Sequence, residues 1–299
     1  MQIRQICSMT HAISLIAPAK LNLNLSIKDK LKNGYHSLES DVCFLDLYDE
    51  INIEISNLNS IEISDKSTFI LKDESILLET LNCFNKEFKN KNKFKITLIK
   101  NIPIGAGLGG GSSDSATLLL GLRYFYNRNP HNSKKITFKK IKELGLKIGS
   151  DVPACIVGKS LKLSGIGEKL ERIYVPKHYK FLLIYPNKTL STKLVFDNFN
   201  FRTENNLSPM YFNKIKIYNS LKFASQSIEP EIKKILKIFK SFEKIIAFGM
   251  TGSGSSCFGI FKTSKDFLND KEFEKLKLKK YYFIWHGNKK EFGYNRMIY

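Results

Sequence analysis

The chain has 299 residues and a hydrophobic fraction of 42%, ordinary for a folded protein and enough for a sizeable core in two modest domains. No apolar run reaches membrane-span length, and the cysteines Cys7, Cys43, Cys83, Cys155 and Cys257 are scattered without a CxxC pair, which argues against a disulfide framework and for free thiols in a reducing, cytoplasmic setting. The formal charge of +20 by itself suggests an anionic partner, yet all but six of the 48 basic residues are Lys, spread from Lys20 to Lys290 with no recognition motif, so neither nucleic acid nor membrane is expected as a partner.

The first eleven residues lack a signal-peptide pattern and are expected to be a short extension. Residues 13–27 read as one strand in which Leu21, Leu23, Leu25 and Ile27 alternate with Lys20, Asn22, Asn24 and Ser26. The polar face is either a solvated edge or the lining of a cleft. A turn signal follows at Asn33-Gly34 and carries Tyr35 and His36, a pair whose first reading is packing. Residues 42–55 look like further strands, and 75–88 carry helical spacing through Ile76, Leu77, Leu81 and Phe84. Residues 94–99 form a strand that feeds directly into a glycine-rich stretch.

That stretch runs Pro103, Ile104, Gly105, Ala106, Gly107, Leu108, Gly109, Gly110, Gly111, Ser112 and Ser113, with five glycines in seven positions. Glycine tolerates positive φ and has no Cβ to hold an anion away, so successive amides can turn onto phosphate oxygens. Ser112 and Ser113 are N-cap candidates for a helix through Ala116, Leu118, Leu119, Leu122 and Phe125, whose N-terminus would face the same anion. A second amphipathic helix is expected at 136–148. It ends in Gly149-Ser150-Asp151-Val152-Pro153, where the ordinary reading of Asp151 is an N-cap.

A strand and turn follow at 161–168. Residues 12–175 are taken as the first domain and 176–299 as the second, which opens with a strand at 181–185. Thr192 and Phe196 come next, then a weakly patterned stretch to about 209. A helix is expected at 230–242 and strands at 245–248, 257–261 and 281–285. The glycine-rich turn at 249–256 holds Gly252 and Ser253 and reads on its own as a tight hairpin loop.

The loop at 103–113 lacks the G-K-[ST] ending of a Walker P-loop, and neither a following acidic strand end nor protein-kinase motifs accompany it. It resembles instead the second motif of the GHMP kinase superfamily, and the turn at 249–256 resembles the third. Pro18-Ala19-Lys20-Leu21-Asn22, Asn33-Gly34-Tyr35-His36 and Gly149-Ser150-Asp151-Val152-Pro153 narrow the likeness to the branch acting on 4-diphosphocytidyl-2-C-methyl-D-erythritol.

The resemblance implies an α+β fold of two domains. The first is like ribosomal protein S5 domain 2 and the second is ferredoxin-like, with the active site in the cleft between them. It implies ATP-dependent phosphorylation of the 2-hydroxyl of a cytidine diphosphate-linked polyol, with ATP and Mg²⁺ as cofactors. Carried over by similarity, Asp151 is the catalytic aspartate and Lys20 its partner. Pro103 through Ser113 hold the ATP phosphates, with Ser112 or Ser113 near Mg²⁺. Tyr35, His36 and Phe196 fall to the cytidine, Asn22 and Thr192 to the polar part of the substrate, and Gly252 and Ser253 to its diphosphate. One departure stands out: where the family shows an asparagine-led segment near the adenine, this chain has Glu74-Ser75-Ile76, so Ser75 would replace an amide contact. A homoserine- or mevalonate-type kinase and a basic RNA-binding module remain the alternatives, and the oligomeric state stays open between monomer and homodimer.

Overall fold

The computed structural model describes residues 11–30, 36–65, 75–200, 210–294 and 296. The first strands are β1 (Ala12–Asn22), β2 (Asn24–Lys30), β3 (His36–Ser56), β4 (Ser60–Asp65) and, after helix α1 (Ser75–Phe88), β5 (Lys93–Lys100). Helices α2 (Gly110–Arg128), α3 (Phe138–Ile148) and α4 (Val152–Val157) lead to β6 (Leu161–Gly165), β7 (Lys169–Arg172) and β8 (Lys180–Tyr185). The remainder comprises α5 (Thr192–Asp197), β9 (Met210–Phe212), β10 (Ile215–Asn219), α6 (Lys222–Ile228), α7 (Glu231–Ser241), β11 (Ala247–Met250), β12 (Cys257–Phe261), α8 (Lys265–Leu268), α9 (Lys271–Lys277) and β13 (Phe283–Asn288).

The 21-residue β3 is the spine of the larger sheet: its start pairs with β2 and β6 and its end with β1 and β5. β10 adds to this sheet by parallel pairing with β2, so the second half of the chain extends a sheet begun by the first. The smaller sheet runs β11-β12-β8-β13, all antiparallel. With α7 between β8 and β11 and α9 between β12 and β13, it has the β-α-β-β-α-β order of a ferredoxin-like unit.

The two sheets stack, and helices cover both outer faces. Phe181, Leu183 and Tyr185 of β8 pack between the sheets with Leu21, Cys43 and Leu45, whereas Leu182 and Ile184 face Ile232, Ile235 and Phe239 of α7. Being buried on both faces, β8 reads as an unbroken apolar run, and each such side chain contributes about 1.5–3 kcal/mol on burial. On the far side of the larger sheet, α1 to α4 pack Leu77, Leu118, Leu122, Ile141 and Val152 onto Ile51, Ile53 and Phe94.

β1 changes sides part-way along. Ile13, Leu15 and Ala17 belong to the helical core, yet Ala19 and Leu21, of the same parity, belong to the layer between the sheets. The change falls at an irregularity in pairing with β3, where Pro18 lies opposite Tyr48 but Lys20 lies opposite Phe44. Irregularities of this kind re-aim side chains near functional sites. Here the effect is to turn Lys20 and Asn22 away from the inter-sheet layer.

Three expectations need correction. The single strand at 13–27 is two strands with a bend at Leu23, because the Asn24 side chain takes the Asp41 amide (2.6 Å) that a continuous ladder would use. Ser112 and Ser113 do not cap α2: Gly109, at φ 63°, opens the helix, and Ser113 N already donates to Gly109 O at 2.9 Å. Asp151 stands at the N-cap position of α4 but makes no side-chain cap hydrogen bond. No helix among the described residues is long and apolar enough to cross a membrane. Cys43, Cys155 and Cys257 are free and buried, and burial pushes the first two thiols up to about 12.

Candidate active site

The glycine loop leaves β5 and returns as α2 with Gly105, Gly107 and Gly109 all at positive φ. This alternation turns the backbone back and forth without a Cβ in the way. Since the first intrahelical bond is made by Ser113 N, the amides of Gly110, Gly111 and Ser112 precede the α2 ladder and stand at the positive end of its dipole. A cleft of about 600 Å³ opens over the loop, lined by every residue from Pro103 to Ser112. Ser113 is fully buried and does not line it.

Across the cleft the turn after β11 meets the loop backbone to backbone. Ser256 N donates to Ala106 O at 3.1 Å, and Thr251 Oγ1 donates to Gly107 O at 3.3 Å while accepting from Asn22 N at 2.9 Å. A Cβ on Gly107 would stand 2.6 Å from Gly254 O and 2.7 Å from Thr251 O. Asn219 braces the turn from behind, donating to Met250 O and Gly252 O at 2.9 Å each. The hairpin turn is therefore one wall of the cleft.

Lys20 links the loop to Asp151. Its amide donates to Leu108 O at 2.8 Å, its stem lies against Gly109, and its Nζ donates to Asp151 Oδ2 at 2.6 Å. The Lys20 side chain is almost fully buried and that of Asp151 is a third exposed, so the carboxylate faces the cleft with its second oxygen available. Asn22 lies beyond it: its Nδ2 donates to Ser40 Oγ at 2.7 Å and its Oδ1 is buried with no partner among the described residues.

Thr192, Phe196, Gly252 and Ser253 line the other end of the cleft, where the Thr192 and Ser253 hydroxyls lie 3.0 Å apart. His36 is not on the cleft wall, but its ring lies against Phe196 with centroids 5.1 Å apart. A base held between two rings needs about 7 Å, two contact distances of ~3.5 Å, so in this structure the pair offers an outer face and no slot between the rings. Tyr35 and Glu74 lie outside the described residues, as does the Ser75 side chain. Their neighbour Ile76 lines the cleft.

At the base of the loop lies a cluster that sequence reading missed. Lys100 donates to both Asp49 and Asp114, the latter at 2.8 Å, and all three are buried. Burial opposes the Lys100 charge, but the two carboxylates outweigh it and its pKa is raised. Burial, resisted by Lys100 and abetted by Asp49, raises that of Asp114. Asp114 Oδ1 has no partner among the described residues, and Asp114 lines the cleft.

Residues 75–159 match the family model of the GHMP kinases N terminal domain, and residues 214–272 match that of the GHMP kinases C terminal region. A 4-diphosphocytidyl-2-C-methyl-D-erythritol kinase of Pseudoalteromonas translucida (strain TAC 125) is 33% identical over 252 residues, which cover 84% of this chain and 85% of that protein. The chain belongs to the 4-diphosphocytidyl-2-C-methyl-D-erythritol kinase family of GHMP kinases. The relative of the same name in Clostridioides difficile (strain 630) is 33% identical and extends the match to 94% of this chain and 96% of that one. A crystal structure of a 4-(cytidine 5'-diphospho)-2C-methyl-D-erythritol kinase superposes with a TM-score of 0.73 at 24% identity, over 92% of this chain and 98% of that chain, which shows the shared two-domain α/β fold. As a GHMP kinase the chain is a phosphotransferase.

Proposed function

We propose that the chain transfers the terminal phosphoryl group of ATP to the 2-hydroxyl of 4-diphosphocytidyl-2-C-methyl-D-erythritol. The observation that carries this is the Lys20–Asp151 pair, held against Gly109 of a loop built to take phosphates. A hydroxyl lodged beside the open oxygen of Asp151 gives up its proton to that carboxylate as its oxygen bonds to the terminal phosphorus, whose bond to the bridging oxygen breaks and releases ADP. The Lys20 ammonium, between carboxylate and loop, stabilises the negative charge that moves onto the transferring group. The amides at the start of α2 hold the remaining phosphates, so most of the rate enhancement comes from positioning and charge neutralisation.

The acceptor lies along the cleft toward Asn22, Thr192, Gly252 and Ser253, and its base stacks on Phe196, against whose ring His36 packs. Mg²⁺ suits this donor set: it favours one or two protein oxygens together with nucleotide phosphates, and no cluster of three or more metal-ligating His, Cys, Asp or Glu is found among the described residues. Ser112, at the cleft, and Asp114, with its unpartnered Oδ1, would hold it. When bound it would neutralise phosphate charge. Ser113, sealed from the cleft, would not take part.

The test is a phosphorylation assay of the purified protein with ATP and each of three acceptors. Product formed from the cytidine-linked polyol, and little from homoserine or mevalonate, is expected. Folded protein that leaves the cytidine-linked polyol unphosphorylated, or that treats homoserine equally well, would overturn the assignment.

A further inference from the structure

The glycine loop has two ends, and both are fastened to one side chain that lies outside the cleft. Asp49 is fully buried in β3, opposite Ala17 of β1. Its Oδ1 accepts from Asn101 N at 2.5 Å and from Ile102 N at 2.8 Å, the last two amides before Pro103. Its Oδ2 accepts from Lys100 Nζ, and that ammonium also donates to Asp114 at 2.8 Å, in the second turn of α2. A Cβ on Gly110 would lie 3.4 Å from Lys100 Nζ, so the ammonium sits against the first residue of α2. The entrance of the loop is thus tied to Asp49 by two amides, and its exit by a lysine that Asp49 holds in place.

We infer that Asp49 is a positioning residue for nucleotide binding, acting through Lys100 and the amides of Asn101 and Ile102 to set the spacing of the loop's phosphate-facing amides. A loop with five glycines in seven positions has little stiffness of its own. Three positive-φ turns in five residues hold their shape only if the flanking backbone is fixed. β5 ends at Lys100 and α2 begins at Gly110, so no ladder hydrogen bond among the described residues fixes the amides of Asn101 and Ile102; the Asp49 carboxylate takes both, while the Asn101 side chain donates separately to Tyr48 O at 2.9 Å. A buried carboxylate serving an ammonium and two amides is held in one rotamer by its own partners, which makes it a rigid reference point. The ligand concerned is the polyphosphate of the nucleotide. Asp49 itself does not line the cleft and, among the described residues, touches none assigned to the acceptor's base.

The inference rests on the kinase reading only for the identity of the nucleotide, and its test needs no acceptor. Affinity for a non-hydrolysable ATP analogue would be measured by calorimetry on the wild type, Asp49→Asn and Asp49→Ala. A core control, Ile96→Val, alters a fully buried residue of the same β5 without touching the anchor. Asn keeps an amide acceptor but loses the charge that holds Lys100, and Ala loses both, so analogue binding is expected to weaken roughly tenfold in the first and further in the second, with Ile96→Val near wild type. In steady state the same variants should raise the KM for ATP far more than that for the acceptor. Analogue affinity that is unchanged in Asp49→Asn, or that falls equally in the core control, overturns the inference. Should the Asp49 variants fail to fold, hydrogen exchange on the wild type decides: protection of the Asn101 and Ile102 amides as strong as that in β5 is expected, and exchange as fast as in an open loop overturns it. Failure of the acceptor assignment would remove only the steady-state comparison and leave the calorimetric and exchange readings intact.

Discussion

Lys20 and Asp151 lie 131 residues apart in sequence, yet Lys20 Nζ donates to Asp151 Oδ2 at 2.6 Å, and the lysine reaches the carboxylate along the side of Gly109. Removing the carboxylate's charge should halt chemistry while leaving the loop intact. Asp151→Asn is expected to lower kcat by at least ~10²-fold with the KM for ATP within about twofold of wild type, by steady-state assay. Near-normal kcat would reduce Asp151 to the start of a short helix.

The approach of Gly107 to the opposite wall leaves no room for a methyl group. Gly107→Ala would place a carbon 2.6 Å from Gly254 O at a φ of +75°. The loop and the turn after β11 must then part, with a loss of roughly 1–3 kcal/mol in urea unfolding and a matching loss of ATP affinity. A variant of wild-type stability and affinity would show that the two walls need not touch.

Phe196 lines the cleft beside Thr192 and is the ring on which the proposed acceptor base would stack. Base stacking on an aromatic ring is worth ~1–3 kcal/mol, so Phe196→Ala should raise the KM for the cytidine-linked acceptor about tenfold or more and leave ATP affinity nearly unchanged. Equal losses for both would count against a base-stacking role.

Away from the cleft, Glu291 supplies a pH test. It accepts from Lys289 at 3.0 Å, Arg172 at 3.2 Å and the Ser160 amide at 3.4 Å. Burial works to raise its carboxyl, but these partners prevail and hold it at about 2 against an ordinary 4.5. A carboxyl depressed in the fold stabilises fully above the unfolded value and loses that stabilisation as pH falls through the folded one. Glu291→Gln should therefore cost on the order of 1–2 kcal/mol at pH 7, discounted for partial exposure, and the gap to wild type should close between pH 4.5 and 2. Denaturant melts across that range would check it.

What could be read from sequence followed from local signals. Five glycines ahead of an apolar helix marked a loop that does open α2 and line the cleft, and apolar spacing located α1, α3 and α7. Lys20, Asn22 and Asp151 stand out through the motifs around them, and the structure brings all three to one cleft. Asp49, Lys100 and Asp114 were not: each is an ordinary residue in a lysine-rich chain, and their meeting depends on β3, β5 and α2 converging at the larger sheet. The start of α2 was misread because serine is the commoner cap, whereas a left-handed Gly109 begins the helix earlier. The Phe196–His36 contact joins α5 to the head of β3 and has no local signature.

The crossover in β1 makes the active site depend on counting as well as on chemistry. Up to Ala17 the odd-numbered side chains feed the helical core, and from Ala19 they feed the layer between the sheets. Deleting one residue between Pro18 and Lys20 would remove no catalytic group, yet it would put the downstream strand out of phase. Leu21 would then turn toward the cleft and the ammonium of Lys20 into the dry seam between the sheets. If Lys20 plays the proposed part in phosphoryl transfer, the spacing of this short segment is as much a requirement as the lysine it delivers.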